Sequence, residues 1–168
     1  MKARLLEWAW ALLAIAAVVL VLAYLSWRQA DHSPQRARAE LRDSALVEGT
    51  QAVEVMNSMD YRHVADGFKA WRDISTGVLH DQLATVGDDE QQLVADQKKI
   101  TTGHVVQAAV TDLTDSTATL IAAVEITVKP DDGKTEATVK RNRFSADLVL
   151  VKGQWKVENL QQVAVTTS

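Results

Sequence analysis

The stretch LVLVKGQWKVENLQQV, residues 148–163, decides the fold. Two runs rich in Val and Leu flank Lys152-Gly153-Gln154, and Gly153 supplies the backbone freedom that a tight reversal needs. The pattern predicts a β-hairpin, with Trp155 as a large apolar side chain closing a sheet against helices. Working upstream, residues 105–113, 118–128, 136–151 and 154–165 are rich in Val, Thr and Ile, and the turn signals DLTDS, PDDGK and KGQ separate them. Four strands joined in sequence predict an antiparallel meander.

The PDDGK turn fixes a register if Asp132-Gly133 centres a two-residue type I′ loop. Lys129 then faces Glu136, Thr127 faces Thr138 and Glu125 faces Lys140, so charge collects on one face near the turn. Farther away the sorting inverts, because Ile121 meets Phe144 on the charged face while Arg141 and Arg143 move to the apolar one. A flat ladder cannot satisfy both ends. The conflict predicts a bulge or strong twist near residues 122–124 and 141–143, and therefore a curved sheet.

Before the strands the spacing is helical. Ser33-Pro34 is a helix start, and a helix over residues 34–59 aligns Ala37, Leu41, Ala45, Gly49, Ala52, Met56 and Met59 in one stripe of mostly small residues. The stripe reads as domain packing at its Met56 end and as a surface open to a partner helix at its Ala37 end. Tyr61, Val64, Phe68 and Trp71 repeat at helical intervals, Gly77 breaks the run, and Leu79, Leu83 and Val86 mark another helix. The acids of GDDEQQ, residues 87–92, splay in different directions, as in a solvated turn or helix start. Helices followed by a meander give an α+β domain with the helices on one side of the sheet.

The amino-terminal region is different in kind. Between Glu7 and Arg28 lie twenty residues without a charge, and at about 1.5 Å per residue such a helix spans roughly 30 Å, a bilayer's hydrocarbon thickness. Trp8 and Trp10 at one end, with Tyr24 and Trp27 at the other, place amphipathic rings at headgroup depth. The run exceeds a signal-peptide core, and residues 23–27, AYLSW, make a poor cleavage site, so the segment is read as a retained anchor. The organisation expected is a short tail at 1–7, a transmembrane helix at 8–27, a juxtamembrane linker and long helix at 28–59, and an α+β domain at 60–168. Counting Lys2 and Arg4 against Arg28, Arg36, Arg38 and Arg42 places that domain in the cytoplasm.

Composition narrows the function. Residues 1–30 carry +2 of a net charge of −4, which leaves −6 for the rest, the wrong sign for nucleic-acid binding. The chain has no cysteine, so disulfides, thiolate metal sites and cysteine nucleophiles are all excluded. His32, His63, His80 and His104 form no metal-binding spacing, and neither a phosphate loop nor a GxSxG elbow is present. Asp147 and Glu158 lie in strands, where solvated faces explain them as well as a cavity does. No cofactor and no metal are expected. Arg141 and Arg143 share one strand face, with Lys140 on the other opposite Glu125; a hydrated surface accounts for them, and the sharper expectation is that they receive acidic groups of a partner protein or a lipid headgroup. Tyr61, Phe68, Trp71, Phe144 and Trp155 are the expected structural core.

The order of anchor, helices and meander resembles the Mce-associated membrane proteins of actinobacteria. The likeness runs through Asp60-Tyr61 and Phe68, Lys99-Ile100 at the start of the first strand, the long second and third strands, and Gly153-Gln154-Trp155-Lys156-Val157. It implies an NTF2-like (SnoaL-like, cystatin-like) cone with helices on a curved four-stranded antiparallel sheet. It further implies a single-pass protein, cone outside the cytoplasmic membrane, serving as a non-enzymatic accessory among protein partners of an Mce-type lipid transport complex. That location opposes the charge count, but a long carboxy-terminal domain is translocated largely regardless of charge. Two alternatives share the architecture: an NTF2-like small-molecule or lipid-binding domain or isomerase- or hydrolase-like enzyme, and a VirB8-like secretion-channel scaffold.

Overall fold

A computed structural model describes residue 13 and residues 15–24 and 34–163. The chain divides into two compact units, Met1–Glu40 and Leu41–Ser168. In the first, residues 15–24 are helical and their apolar side chains face outward, Leu20 at 71% exposure and Tyr24 at 55%. Among the described residues no helix is long and apolar enough to cross a membrane. Trp8, Trp10, Trp27 and both ends of the expected 8–27 span lie outside them.

Helix α1, Pro34–Met56, begins at the proline that the sequence marks. Its end is built by two side chains that turn back onto free carbonyls: Asn57 Nδ2 donates to Val53 O at 2.8 Å and Ser58 Oγ donates to Glu54 O at 2.8 Å. Met59, expected in this helix, instead opens a two-residue strand, β1, Met59–Asp60. A 3₁₀ turn, Tyr61–His63, leads to α2, Val64–Asp73. Then come α3, Gly77–Ala84, and α4, Asp88–Asp96. The acids of GDDEQQ thus form the first turn of α4, where the exposed helix amides favour negative charge. The remaining strands are β2, Lys99–Leu113, β3, Thr117–Pro130, β4, Thr138–Val151, and β5, Gln154–Gln162.

The sheet is antiparallel with strand order β1-β2-β3-β4-β5, so it has five strands where the sequence predicts four. The extra one is too short to leave an alternating pattern. The β4–β5 hairpin closes through Lys152 (φ 53°) and Gly153 (φ 84°), with Val151 opposite Gln154. That is the two-residue loop with both central residues in the left-handed region. Asp132-Gly133 does not make one. Asp132 instead accepts from the amides of Lys134 at 2.9 Å and Thr135 at 2.8 Å and from the Thr135 hydroxyl, which opens the turn into a longer loop over residues 131–137.

The longer loop moves the register by one residue. Glu125 faces Arg141, Ile126 faces Lys140 and Ile121 faces Ser145, along a β3–β4 ladder without a shift from Thr117↔Val149 to Val128↔Thr138. The β3–β4 ladder therefore has no bulge at 122–124 or 141–143; the irregularity near those residues lies on β2, opposite Ala123 and Val124. In this register Ala118, Leu120, Ala122 and Val124 face the helices together with Ala146 and Leu148, and the inversion that motivated the bulge disappears. Irregularities occur on the flanking strands, where Val106, Thr111 and Glu158 are the extra residues.

Helix α1 packs on the sheet through the small-residue stripe. Ala45 and Ala52 are buried, and a Cβ on Gly49 would lie 2.6 Å from Leu148 Cδ1, so the stripe meets its own sheet where the backbone must come close. Ala37 is exposed. At Gly103 an added Cβ would meet Asn57 Cβ at 2.6 Å and the carbonyls of Asn57 and Glu54 at 3.2 Å, which fixes how tightly β2 crosses the end of α1. Three side chains from this helix and its end also reach backbone groups of β2. Ser58 Oγ accepts from Gly103 N (3.0 Å), Glu54 Oε1 accepts from Val105 N (2.8 Å), and Arg42 Nη1 donates to Val110 O (3.3 Å). Such contacts cover a sheet margin.

A second cluster joins α2, α3 and α4 through Val64, Phe68 and Leu83, with Phe68 edge-on to Trp71 at a ring separation of 5.2 Å. Tyr61 belongs to neither core. It is half-buried, and its hydroxyl donates to Asp131 at the start of the β3–β4 loop, a bond that raises the phenol's pKa.

The Asp132 carboxyl is held down to about 2 from 3.8, first by the Thr135 hydroxyl and then by the Thr135 and Lys134 amides. A depressed carboxyl stabilises the folded state above its unfolded pKa, and that contribution is lost as pH falls from 3.8 toward about 2. NMR titration of the Asp132 side chain is expected to give a midpoint near 2, and Thr135→Val to move it back toward 3.8; an unchanged midpoint in the variant would contradict the assigned cause.

Candidate interaction surface

An NTF2-like enzyme needs acid and base groups facing a hollow between sheet and helices. Here that space is filled. Val53, Leu120, Val124, Leu148 and Val157 are fully buried in it, and Trp155 is 4% exposed. Trp155 Nε1 donates to Ser44 Oγ at 3.0 Å and its backbone N–H donates to Glu48 Oε2 at 2.7 Å, so two residues one helical turn apart on α1 hold the hairpin. Phe144 is half-buried against this core. The only buried polar residue among those described is Ser75, whose Oγ donates to Arg72 O at 3.1 Å. No group of three His, Asp or Glu side chains among the described residues is placed to hold a metal.

The polar residues raised by the sequence lie elsewhere. His104 lies within β2, exposed, with Nδ1 3.0 Å from Glu54 Oε1. His80 and His63 sit at the surface beside Asp81 and Asp60, at 3.6 and 3.8 Å. Asp147 accepts from Thr119 at 3.3 Å and from Asn159 at 3.1 Å on the face away from the helices. Glu158 is exposed on β5 beside Gly77. At the sheet's β1 end, Arg62 binds Asp60 through Nη2 at 2.6 Å and depresses its carboxyl well below the usual range.

The open face of the sheet is where side chains remain uncommitted. Cross-strand rows place His104, Glu125 and Arg141 together, then Gln107, Ala123 and Arg143, then Ala109, Ile121, Ser145 and Gln161. Arg141 Nε donates to Glu125 Oε2 at 3.0 Å, so the carboxylate assigned to Lys140 neutralises Arg141 instead, a direct result of the register change. Arg143 is exposed and has no ion pair among the described residues. Beside it a shallow trough of about 280 Å³ is lined by Gln107, Ala109, Ile121 and Ala123, with Ile121 still 37% exposed. Small side chains on adjacent strands make the depression, and one free guanidinium stands at its rim. An apolar side chain next to a carboxylate fits that chemistry.

A second cleft of about 320 Å³ lies between α1 and the final hairpin, lined by Glu48, Gln51, Val55 and Trp155. Its charged groups are already engaged. Lys156 Nζ donates to Asp73 O at 2.8 Å, and the Asp73 carboxylate binds Lys69 at 2.5 Å, which lowers its pKa.

Sequence reasoning singled out Arg141 and Arg143 but missed Ile121 as a surface residue and Glu48, Glu54 and Ser44 as contacts to the sheet. The trough comes from residues far apart along the chain, whereas Ser44 and Glu48 at helical spacing were a readable signal for a docked aromatic.

Helices packed on a curved five-stranded antiparallel sheet make this an α+β unit of NTF2-like fold. The same fold occurs in an IcmL-like type IV secretion system protein from Legionella pneumophila (TM-score 0.59, 12% identity, 76% of this chain and 95% of that one covered). It also occurs in the periplasmic domain of DotI (0.59, 12%, 73% and 95%) and in Agrobacterium tumefaciens VirB8 (0.55, 12%, 74% and 94%). No curated protein matches the sequence. The chain belongs to the family described as "Uncharacterized protein Rv1363c/MT1408-like", whose model matches residues 4–164.

Proposed function

We propose that this chain is a membrane-anchored, non-enzymatic assembly protein of the cell envelope. The amino-terminal apolar segment fixes it in the bilayer as a single pass, and the cone stands outside the cytoplasmic membrane. The observation that carries this reading is the filled interior: where a cone enzyme keeps facing acid and base groups, this one packs Leu120, Leu148, Trp155 and Val157. What is left for function is the outside, above all the open sheet face with Arg143. The resemblance to Mce-associated proteins supports a place beside an Mce-type lipid transport complex. The fold shared with the DotI periplasmic domain and VirB8 supports the second reading, a scaffold of a secretion channel.

Affinity purification of the full chain from detergent-solubilised native membranes, followed by mass spectrometry, separates the two. Lipid-import subunits are expected to co-purify, and Arg141→Ser with Arg143→Ser is expected to reduce their recovery while the cone stays folded. Secretion-channel subunits in their place would select the second reading. Recovery of neither, from a protein shown by protease protection to lie in the cytoplasm, would overturn both.

A further inference from the structure

The same chain carries a counterpart to the trough. On α4, Asp89, Leu93 and Asp96 recur at intervals of four and three residues and therefore share one helix face. All three are exposed, and Leu93 is 67% exposed, a large apolar side chain between two acids. The trough offers the inverse: an apolar floor at Ile121, Ala109 and Ala123, with Arg143 at the rim and no carboxylate of the described residues paired to it. Knob and hollow match in polarity and charge, and they lie on different elements of the folded unit.

We propose that the open sheet face docks α4 of a second copy, with Leu93 seated over Ile121 and Asp89 or Asp96 meeting Arg143. This rests on the reading of that face as an interface and names its occupant. The contact is heterologous, since one copy gives the knob and the other the hollow, so each bound pair still presents one free site of each kind. Repetition builds a ring or a row of cones. Lateral confinement of anchored copies in one membrane raises their effective concentration, which lets a small contact suffice.

The absence of cysteine gives a clean test. Full-length chains carrying Leu93→Cys and Ile121→Cys are purified separately in detergent, mixed, and oxidised with copper phenanthroline. The mixture is expected to give a disulfide-linked dimer, and neither variant alone is expected to. Arg143→Glu on the Ile121→Cys chain should cut the yield about tenfold, the loss of roughly one favourable charge contact. Asp89→Lys with Asp96→Lys on the Leu93→Cys chain should restore it, which also shows that the Arg143→Glu chain is folded. Dimers from Ile121→Cys alone would mean face-to-face pairing of two sheets and overturn the proposal, as would equal yields with and without the charge reversal, or no dimer in the mixture. The proposal fails while the assembly reading survives if no dimer forms and other envelope subunits still co-purify in an Arg143-dependent way.

Discussion

Trp155→Ala is expected to destabilise the cone by about 3–5 kcal/mol, the cost of removing a buried indole and leaving part of its volume empty. That should lower Tm by roughly 10–20 °C in a domain of this size. Its 4% exposure puts nearly the whole ring in the core, and the Nε1 bond to Ser44 Oγ ties it to α1. Two further variants divide the effect. Trp155→Phe keeps most of the apolar contact and leaves the Ser44 hydroxyl without its donor, so it should cost clearly less than Ala. Ser44→Ala alone should cost about 1 kcal/mol, a typical net hydrogen bond. Urea unfolding of the three variants checks the ordering. A Trp155→Ala loss under about 1 kcal/mol would show that the hairpin is held by its backbone ladder and not by the ring.

Leu148→Ala is the second large effect, about 2–5 kcal/mol, and its interest lies in its coupling to Gly49. A methyl at residue 49 would stand 2.6 Å from Leu148 Cδ1 and 3.2 Å from Leu120 Cδ2, and Leu148 is 1% exposed with no room to turn aside. Gly49→Ala should therefore cost about 1–3 kcal/mol through overpacking, although alanine is intrinsically better in a helix by about 1 kcal/mol. In the Leu148→Ala background the new methyl enters the emptied space, so the double variant should be no less stable than Leu148→Ala alone. The resulting interaction energy, about 1–3 kcal/mol, is the mark of two residues in contact. Strict additivity would show that Gly49 is not fixed by this leucine.

These residues also show how far the chain can be read without coordinates. The helix start at Pro34, the stripe through Ala45, Gly49 and Ala52 and the hairpin around Gly153 follow from local periodicity and turn chemistry, so they were legible. The register was not. Asp132-Gly133 has the composition of a tight turn, but the Asp132 carboxylate captures the next amides, and that competition displaced every β3–β4 pair by one. Tyr61 shares the helical spacing of Val64, Phe68 and Trp71 yet falls in a 3₁₀ turn and bonds outward to Asp131. Arg141 and Arg143 look alike in sequence, and only the register tells the neutralised one from the free one.

Arg42, Glu54 and Ser58 also determine what proteolysis does to this molecule. While they occupy Val110, Val105 and Gly103, the long margin of β2 is a poor template for a foreign strand. A nick in the chain ahead of β1 that let the helix float away would free the Gly103 and Val105 amides and the Val110 carbonyl, beside a Val106 that is already 50% exposed. An uncovered margin of this kind is a template for edge-to-edge pairing between fragments, so α1 also guards the sheet against strand-on-strand aggregation.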